Sequence, residues 1–116
     1  MRTISAILTG IALLAVVSAC RAGGTDAATV RAKIKAGALV VDVRTPAEFA
    51  AGAYPGATNI PLAEIEQRLA DFGDHKHAIV VYCRSGNRSG QAKAILEKNG
   101  FSDVTNGGAL KDMPSR

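Results

Sequence analysis

Residues 78–90 read AIVVYCRSGNRSG, and this stretch decides the predicted fold. Its first five residues are apolar and mostly β-branched, which is typical of a strand buried on both faces. A short polar loop follows Cys83, and a helical pattern begins near Arg88 or Ser89 and ends before Gly100. A buried strand, a tight loop and a helix in this order form the repeating unit of an open α/β sheet.

The alternation of strand and helix continues on both sides of this stretch. Residues 62–72 have the clearest helical pattern, because apolar side chains recur there at spacings of three, four and three. The other predicted elements are a helix over 26–36, a strand over 38–43, a short helix over 46–51, a loop through 52–60 and a strand over 101–105. Strands separated by helices predict an α/β domain with a mostly parallel sheet.

The composition is that of one small globular domain. The chain has 116 residues, of which 47% are hydrophobic and 21% charged, so it has no room for two independent cores. The net charge of +4 comes from scattered Lys and Arg residues, and aromatic residues make up only 4% of the chain. Because a basic run and a set of stacking aromatic residues are both missing from the sequence, we expect no nucleic-acid partner.

The N-terminal residues have the pattern of an export signal. A positively charged start precedes an almost wholly apolar stretch over Ile4–Val17, as in a secretory signal peptide over residues 1–19. The apolar stretch is shorter than the roughly 20 residues of a membrane span. We therefore predict an exported, periplasmic protein. The alternative is a short N-terminal anchor that stays attached.

Cys20 is a predicted lipidation site. Residues 17–20 read VSAC and resemble a bacterial lipobox, in which the cysteine is acylated and becomes the first mature residue. We expect residues 20–25 to tether the protein to the membrane and residues 26–116 to form the folded domain. Ordinary signal-peptide cleavage before Cys20 stays open as an alternative, and it gives nearly the same mature protein without the lipid.

Cys83 is the predicted nucleophile. It follows a buried strand, at the edge where ligands bind in open α/β sheets. Gly86 allows the backbone N–H groups of the loop to turn inward as an anion-binding nest, and two arginines add positive charge. Such surroundings favour the thiolate and lower the pKa of the cysteine. The alternative is an inert cysteine that ends a core strand. The candidate anion-binding residues are Arg84, Ser85, Gly86, Asn87 and Arg88.

Two reactions on small anions fit a cysteine followed by a short arginine-containing loop: sulfur transfer and phosphate-ester cleavage. Cysteine phosphatases have the motif Cys-x5-Arg. Here the sixth residue after Cys83 is Ser89, and Arg88 is the fifth. The loop is therefore one residue too short to wrap a tetrahedral phosphate. This spacing favours sulfur transfer over a small phosphatase or an arsenate reductase.

Five motifs in order resemble those of the rhodanese family, in particular its small single-domain members. They are VDVRTPAEF at 41–49, YPGATNIP at 54–61, CRSGNR at 83–88, SGQAK at 89–93 and GGALKD at 107–112. The resemblance covers nearly all of residues 38–114. Each motif alone is weak, but their order and spacing together are specific.

The resemblance implies an α/β fold with about five mostly parallel strands and helices on both faces. It also implies a thiosulfate sulfurtransferase that holds the sulfane sulfur of thiosulfate as a persulfide on Cys83. The sulfur then passes to cyanide or to a thiol acceptor, and no metal or organic cofactor is needed. Ser85 is a candidate hydrogen-bond donor to the persulfide or to sulfite. The alternative is a persulfide carrier or a redox-sensing module without turnover.

Other polar residues have structural interpretations. Asp42 and Arg44 flank the end of the first predicted strand, and we expect an ion pair between them that supports the active-site loop. Glu48 is interpreted in the same way. His75 and His77 lie in a polar turn without further ligand residues, so we expect no metal site there.

Overall fold

The fold is built on a parallel sheet within residues 25–116, the part of the chain that the computed structural model describes. The predicted signal peptide over 1–19, the lipidation site Cys20 and the tether that precedes Thr25 lie outside the described residues. Between Thr25 and the C-terminal residue, no helix has both the length and the apolar character to cross a bilayer.

The sheet has four strands in the described residues: β1 (Leu39–Asp42), β2 (Thr58–Asn59), β3 (Ile79–Cys83) and β4 (Val104–Ala109). Their order is β2-β1-β3-β4, and every neighbouring pair is parallel. All five residues of β3, an inner strand, are buried, as its apolar run predicts. Parallel pairing brings the carboxyl ends of the strands to one edge of the sheet. Cys83 lies at this edge, as the last residue of β3.

Helices pack on both faces of this sheet. The described residues form α1 (Ala27–Lys35), α2 (Pro46–Ala51), α3 (Asn87–Lys98) and three short 3₁₀ helices, Leu62–Gln67, Leu69–Phe72 and Leu110–Asp112. Val30 of α1 packs with Val80 and Tyr82 on one face. On the other face Leu96 of α3 lies in a second core with Val81. The predicted α/β fold with helices on both faces is therefore confirmed.

The strand pattern differs from the expectation in two places. Residues 52–60 are predicted as a loop, but Thr58 and Asn59 pair with the end of β1; a two-residue strand is too short to show a periodic pattern. The last strand begins at Val104 instead of residue 101 and continues through two glycines, which are depleted in strands and hide the signal. The described sheet has four strands where the resemblance implied about five.

The predicted helix over 62–72 is wrong in type, because two 3₁₀ helices replace it, with a break at Arg68. In a 3₁₀ helix, residues three apart lie on the same side, which matches the two spacings of three in the apolar pattern. The spacing of four, between Ile65 and Leu69, spans the break between the two 3₁₀ helices. Ile65 and Phe72 are both 0% exposed, so each turn keeps its apolar side in the core.

Candidate active site

The loop after β3 wraps around the sulfur of Cys83. Only three residues, 84–86, separate the strand from the first residue of α3, so Asn87 and Arg88 belong to the helix and not to the loop. Gly86 has φ 93°, a left-handed conformation that side chains other than glycine's rarely adopt. This turn lets the Gly86 N–H donate to Cys83 Sγ over 3.0 Å. The loop therefore forms the inward-facing nest that the sequence predicts, and the nest surrounds the sulfur of Cys83.

A hydroxyl group completes the surroundings of the sulfur. Ser89 Oγ, in the first turns of α3, lies 3.4 Å from Cys83 Sγ and is fully buried. The same oxygen lies 2.7 Å from Asn106 Oδ1 and 3.1 Å from the Gly86 carbonyl oxygen. Since Ser89 has one hydroxyl proton, it donates to one of these acceptors at a time. Neither Ser89 nor Asn106 is among the site residues predicted from the sequence. Asn106 reaches the loop from β4, so no local pattern indicates it.

Burial and hydrogen bonding act in opposite directions on the pKa of Cys83. Burial of the thiol raises its pKa, because the thiolate loses hydration. The Ser89 hydroxyl and the backbone N–H groups of Ser89, Ser85 and Gly86 stabilise the thiolate, and their combined effect lowers the pKa below its ordinary value. Ser85 thus acts through its backbone, while its exposed side chain makes no hydrogen bond in the described structure.

We expect Ser89→Ala to raise the pKa of the Cys83 thiol, because the thiolate loses the nearest side-chain donor. The rate of alkylation by iodoacetamide, measured against pH, should shift to higher pH, since only the thiolate reacts. Ser85→Ala is the matched control. It keeps the backbone N–H and should leave the profile unchanged. Equal profiles for Ser89→Ala and the unsubstituted protein would exclude Ser89 as a thiolate donor.

Arg88 is bound to Glu48 of α2. The guanidinium donates from Nη1 and Nη2 to the two carboxylate oxygens over 2.7 and 2.9 Å. These hydrogen bonds lower the pKa of Glu48 to about 2, so the pair stays ionised at neutral pH. The sequence predicts that Arg88 offers its positive charge to a bound anion. The structure instead offsets that charge, because the chain brings Glu48 to it from 40 positions away.

Asp42 and Arg44 form the ion pair that we expected, and it is buried. Arg44 Nε and Nη2 both contact the carboxylate, at 2.6 to 3.0 Å, and its backbone N–H donates to Asp42 Oδ1 over 2.9 Å. The hydroxyl of Tyr82, itself 0% exposed, donates to Asp42 Oδ2 over 2.8 Å. Burial, together with this bond, raises the pKa of Tyr82 to about 12. Arg44 also donates to the Gly52 carbonyl over 2.7 Å, which fixes the end of α2.

A cavity of about 570 Å³ opens at the carboxyl edge of the sheet and reaches Arg84, the residue after Cys83. Its lining residues are Arg44, Glu48, Ala51, Arg84, Leu110 and Lys111. Arg84 directly follows the cysteine, and Lys111 is a residue that sequence analysis did not assign. In residues 25–116, no three His, Cys, Asp or Glu side chains come together as a candidate metal site.

The sequence profile of the rhodanese-like domain matches residues 26–108. The chain belongs to the rhodanese-like domain family. The matched region includes both Cys83 and the Ser89 and Asn106 side chains around it. The rhodanese assignment from the five motifs is therefore confirmed.

Curated relatives carry sulfurtransferase names. The chain is 43% identical over 74 residues to thiosulfate sulfurtransferase PspE of Escherichia coli, an alignment that covers 63% of this chain and 71% of PspE. It is 44% identical over 68 residues to a sulfurtransferase of Allochromatium vinosum, with 59% of this chain and 63% of that protein covered. Sulfur transfer is therefore the activity of this rhodanese.

Solved structures agree with the fold. A rhodanese with anions from E. coli has a TM-score of 0.62 and 43% identity, and the match covers 66% of this chain and 93% of that one. The human single-domain sulfurtransferase TSTD1 has a TM-score of 0.70 and 30% identity, with 79% and 95% covered.

Proposed function

We propose that this rhodanese takes the sulfane sulfur of thiosulfate onto Cys83 and passes it to cyanide or to a thiol. The observation that carries the proposal is the surroundings of Cys83 Sγ. The Gly86 N–H lies 3.0 Å and the Ser89 hydroxyl 3.4 Å from this sulfur, and the pKa of the thiol is lowered. The relatives named as thiosulfate sulfurtransferases support the choice of donor.

In the first step the Cys83 thiolate attacks the outer sulfur of thiosulfate. A new S–S bond forms to Cys83 while the S–S bond of thiosulfate breaks, and its electron pair leaves with sulfite. The product is a persulfide anion in the place where the loop N–H groups now stabilise the thiolate. Arg84, which lines the cavity, stabilises the negative charge of the departing sulfite.

In the second step a nucleophile attacks the outer sulfur of the persulfide. Cyanide leaves as thiocyanate, and a thiol acceptor leaves as a new persulfide; either reaction returns Cys83 as a thiolate. The two half-reactions share one site, so ping-pong kinetics are expected. Because Cys83 is 0% exposed, each reactant needs a local opening of the loop before it reaches Sγ.

Intact mass after incubation with thiosulfate tests the proposal. The protein should gain one sulfur atom that cyanide then removes, with one thiocyanate released. Peptide mapping should place that sulfur on Cys83 and not on Cys20, the other cysteine of the chain. If the protein gains no sulfur while its thiol still reacts with iodoacetamide, the proposal fails. Arsenate and aryl phosphates are then the next substrates to test.

Burial of the sulfur favours one alternative, a persulfide carrier that holds sulfur for a partner protein. A fully buried Sγ protects a persulfide from solvent thiols and slows its release. The two functions differ in turnover: an enzyme forms thiocyanate repeatedly from thiosulfate, whereas a carrier gives a single equivalent per protein. Steady-state kinetics with cyanide separates them.

We propose that the protein is exported to the periplasm and held at a membrane by a lipid on Cys20. The support is the apolar stretch and the VSAC motif within residues 1–20. Labelling of cells with a radioactive fatty acid should mark the full chain but not its Cys20→Ala variant. A secreted protein without label would instead indicate ordinary cleavage before Cys20.

A further inference from the structure

Two positively charged residues of the described part of the chain, Arg84 and Lys111, line the cavity at the carboxyl edge of the sheet. Arg84 directly follows Cys83, and Lys111 lies two residues beyond Ala109, the residue that pairs with Cys83 across the sheet. Neighbouring strands are only about 4.8 Å apart, so both side chains start from the same part of the carboxyl edge. Both residues are exposed and line the same cavity.

Each of the other two charged residues of the cavity is paired with a residue that does not line it. Arg44 is bound to Asp42, and Glu48 is bound to Arg88. Arg84 and Lys111 make no ion pair or side-chain hydrogen bond within residues 25–116. The cavity therefore has an excess of two positive charges, and both lie on its β3–β4 side.

The backbone holds Lys111 in place although its side chain is exposed. Lys111 belongs to the 3₁₀ helix Leu110–Asp112, which directly follows β4. Leu110 packs against the core beneath α1, and the Met113 N–H donates to the Leu110 carbonyl over 3.2 Å. The backbone of Lys111 is thus fixed beside the cavity. Only its flexible side chain has to move for the ammonium group to contact an anion.

We propose that Lys111, together with Arg84, selects donors with two negative charges over donors with one. The inference rests on the proposed sulfur transfer and adds a specificity-determining residue to it. Thiosulfate has two negative charges, one mainly on the sulfane sulfur and one on the sulfonate oxygens. Methanethiosulfonate offers the same sulfane sulfur, but a methyl group replaces one oxygen and its charge is −1. The two donors therefore differ in the charge that Lys111 would bind.

Kinetics with both donors, and cyanide as the common acceptor, tests this selection. Lys111→Gln should raise the KM for thiosulfate about fivefold, a typical effect of losing one exposed charge-assisted contact, and change kcat much less. The KM for methanethiosulfonate should rise about twofold or less, and Lys111→Arg should restore the preference. Lys98→Gln, at the far end of α3, is the matched control and should change neither KM. An equal loss for both donors, or no loss, would overturn the proposal.

A binding measurement separates this proposal from sulfur transfer itself. In a Cys83→Ser background, calorimetry reports donor affinity without any chemistry. Adding Lys111→Gln should weaken thiosulfate binding about fivefold. If this loss is seen but the unsubstituted protein gains no sulfur, Lys111 binds the charge of the anion and the proposed sulfur transfer is wrong. If the unsubstituted protein forms the persulfide but Lys111→Gln changes neither affinity nor KM, the charge selection alone is wrong.

Discussion

Cys83→Ser is expected to reduce thiocyanate formation from thiosulfate by at least about a thousandfold, because a serine hydroxyl is a far weaker nucleophile than a thiolate and cannot carry a persulfide. The fold should survive, since the hydroxyl is smaller than the thiol and can accept the same Gly86 N–H hydrogen bond. Thiocyanate release measures the activity, and the midpoint of urea unfolding measures the fold.

Cys20→Ser is the matched control for the loss of a thiol. Cys20 precedes the residues that match the rhodanese-like domain, 26–108, so this variant should leave turnover unchanged in the purified protein. A Cys83→Ser protein that still releases sulfite from thiosulfate would show that Cys83 is not the nucleophile. A loss of activity together with a collapsed unfolding midpoint would instead assign Cys83 a structural role in β3.

Asp42→Ala is expected to destabilise the protein by about 3–5 kcal/mol, the usual cost of removing one partner from a buried ion pair. Arg44 is 6% exposed, and its guanidinium would remain in the protein without a counter-charge. The Tyr82 hydroxyl would also lose its acceptor. Because small domains are stable by only about 5–15 kcal/mol, the variant should lose a large part of its stability. Urea unfolding gives the change in free energy.

An exposed ion pair provides the control for this prediction. Asp71 accepts a 2.8 Å hydrogen bond from Arg68, with its side chain 51% exposed. Asp71→Ala should cost less than about 1 kcal/mol, as exposed pairs do. The double variant Asp42→Asn, Arg44→Met removes both buried charges and should be more stable than Asp42→Ala. Equal costs for Asp42→Ala and Asp71→Ala would contradict the assignment of a buried, stabilising network.

Parts of the site that depend on residues close together in the chain could be predicted from the sequence. The apolar run of β3, the glycine in the loop and the helix after it predict a cysteine sulfur in a nest of N–H groups, and the structure contains that arrangement. The Asp42–Arg44 pair is likewise local, because its partners are two positions apart. Short-range geometry of this kind follows from strand and turn rules alone.

The parts of the site that depend on distant contacts could not be predicted. Glu48 and Arg88 lie 40 positions apart, so no spacing rule indicates that one offsets the charge of the other. Asn106 reaches Ser89 from β4, whose two glycines weaken its strand pattern. The break at Arg68 is also a tertiary effect, since the same apolar spacing fits one α-helix or two shorter turns.

The Gly86 N–H donates a hydrogen bond to Cys83 Sγ. The exchange rate of this amide should therefore report the chemical state of the sulfur. Amides of β3 lie in a buried inner strand and should exchange with deuterium only on global unfolding. The exchange of Gly86 depends instead on the local opening of its loop and on the acceptor strength of Cys83 Sγ. A thiolate, a thiol and a persulfide differ in that strength. Isotope exchange at a single residue therefore distinguishes a loaded protein from an empty one without any substrate analogue.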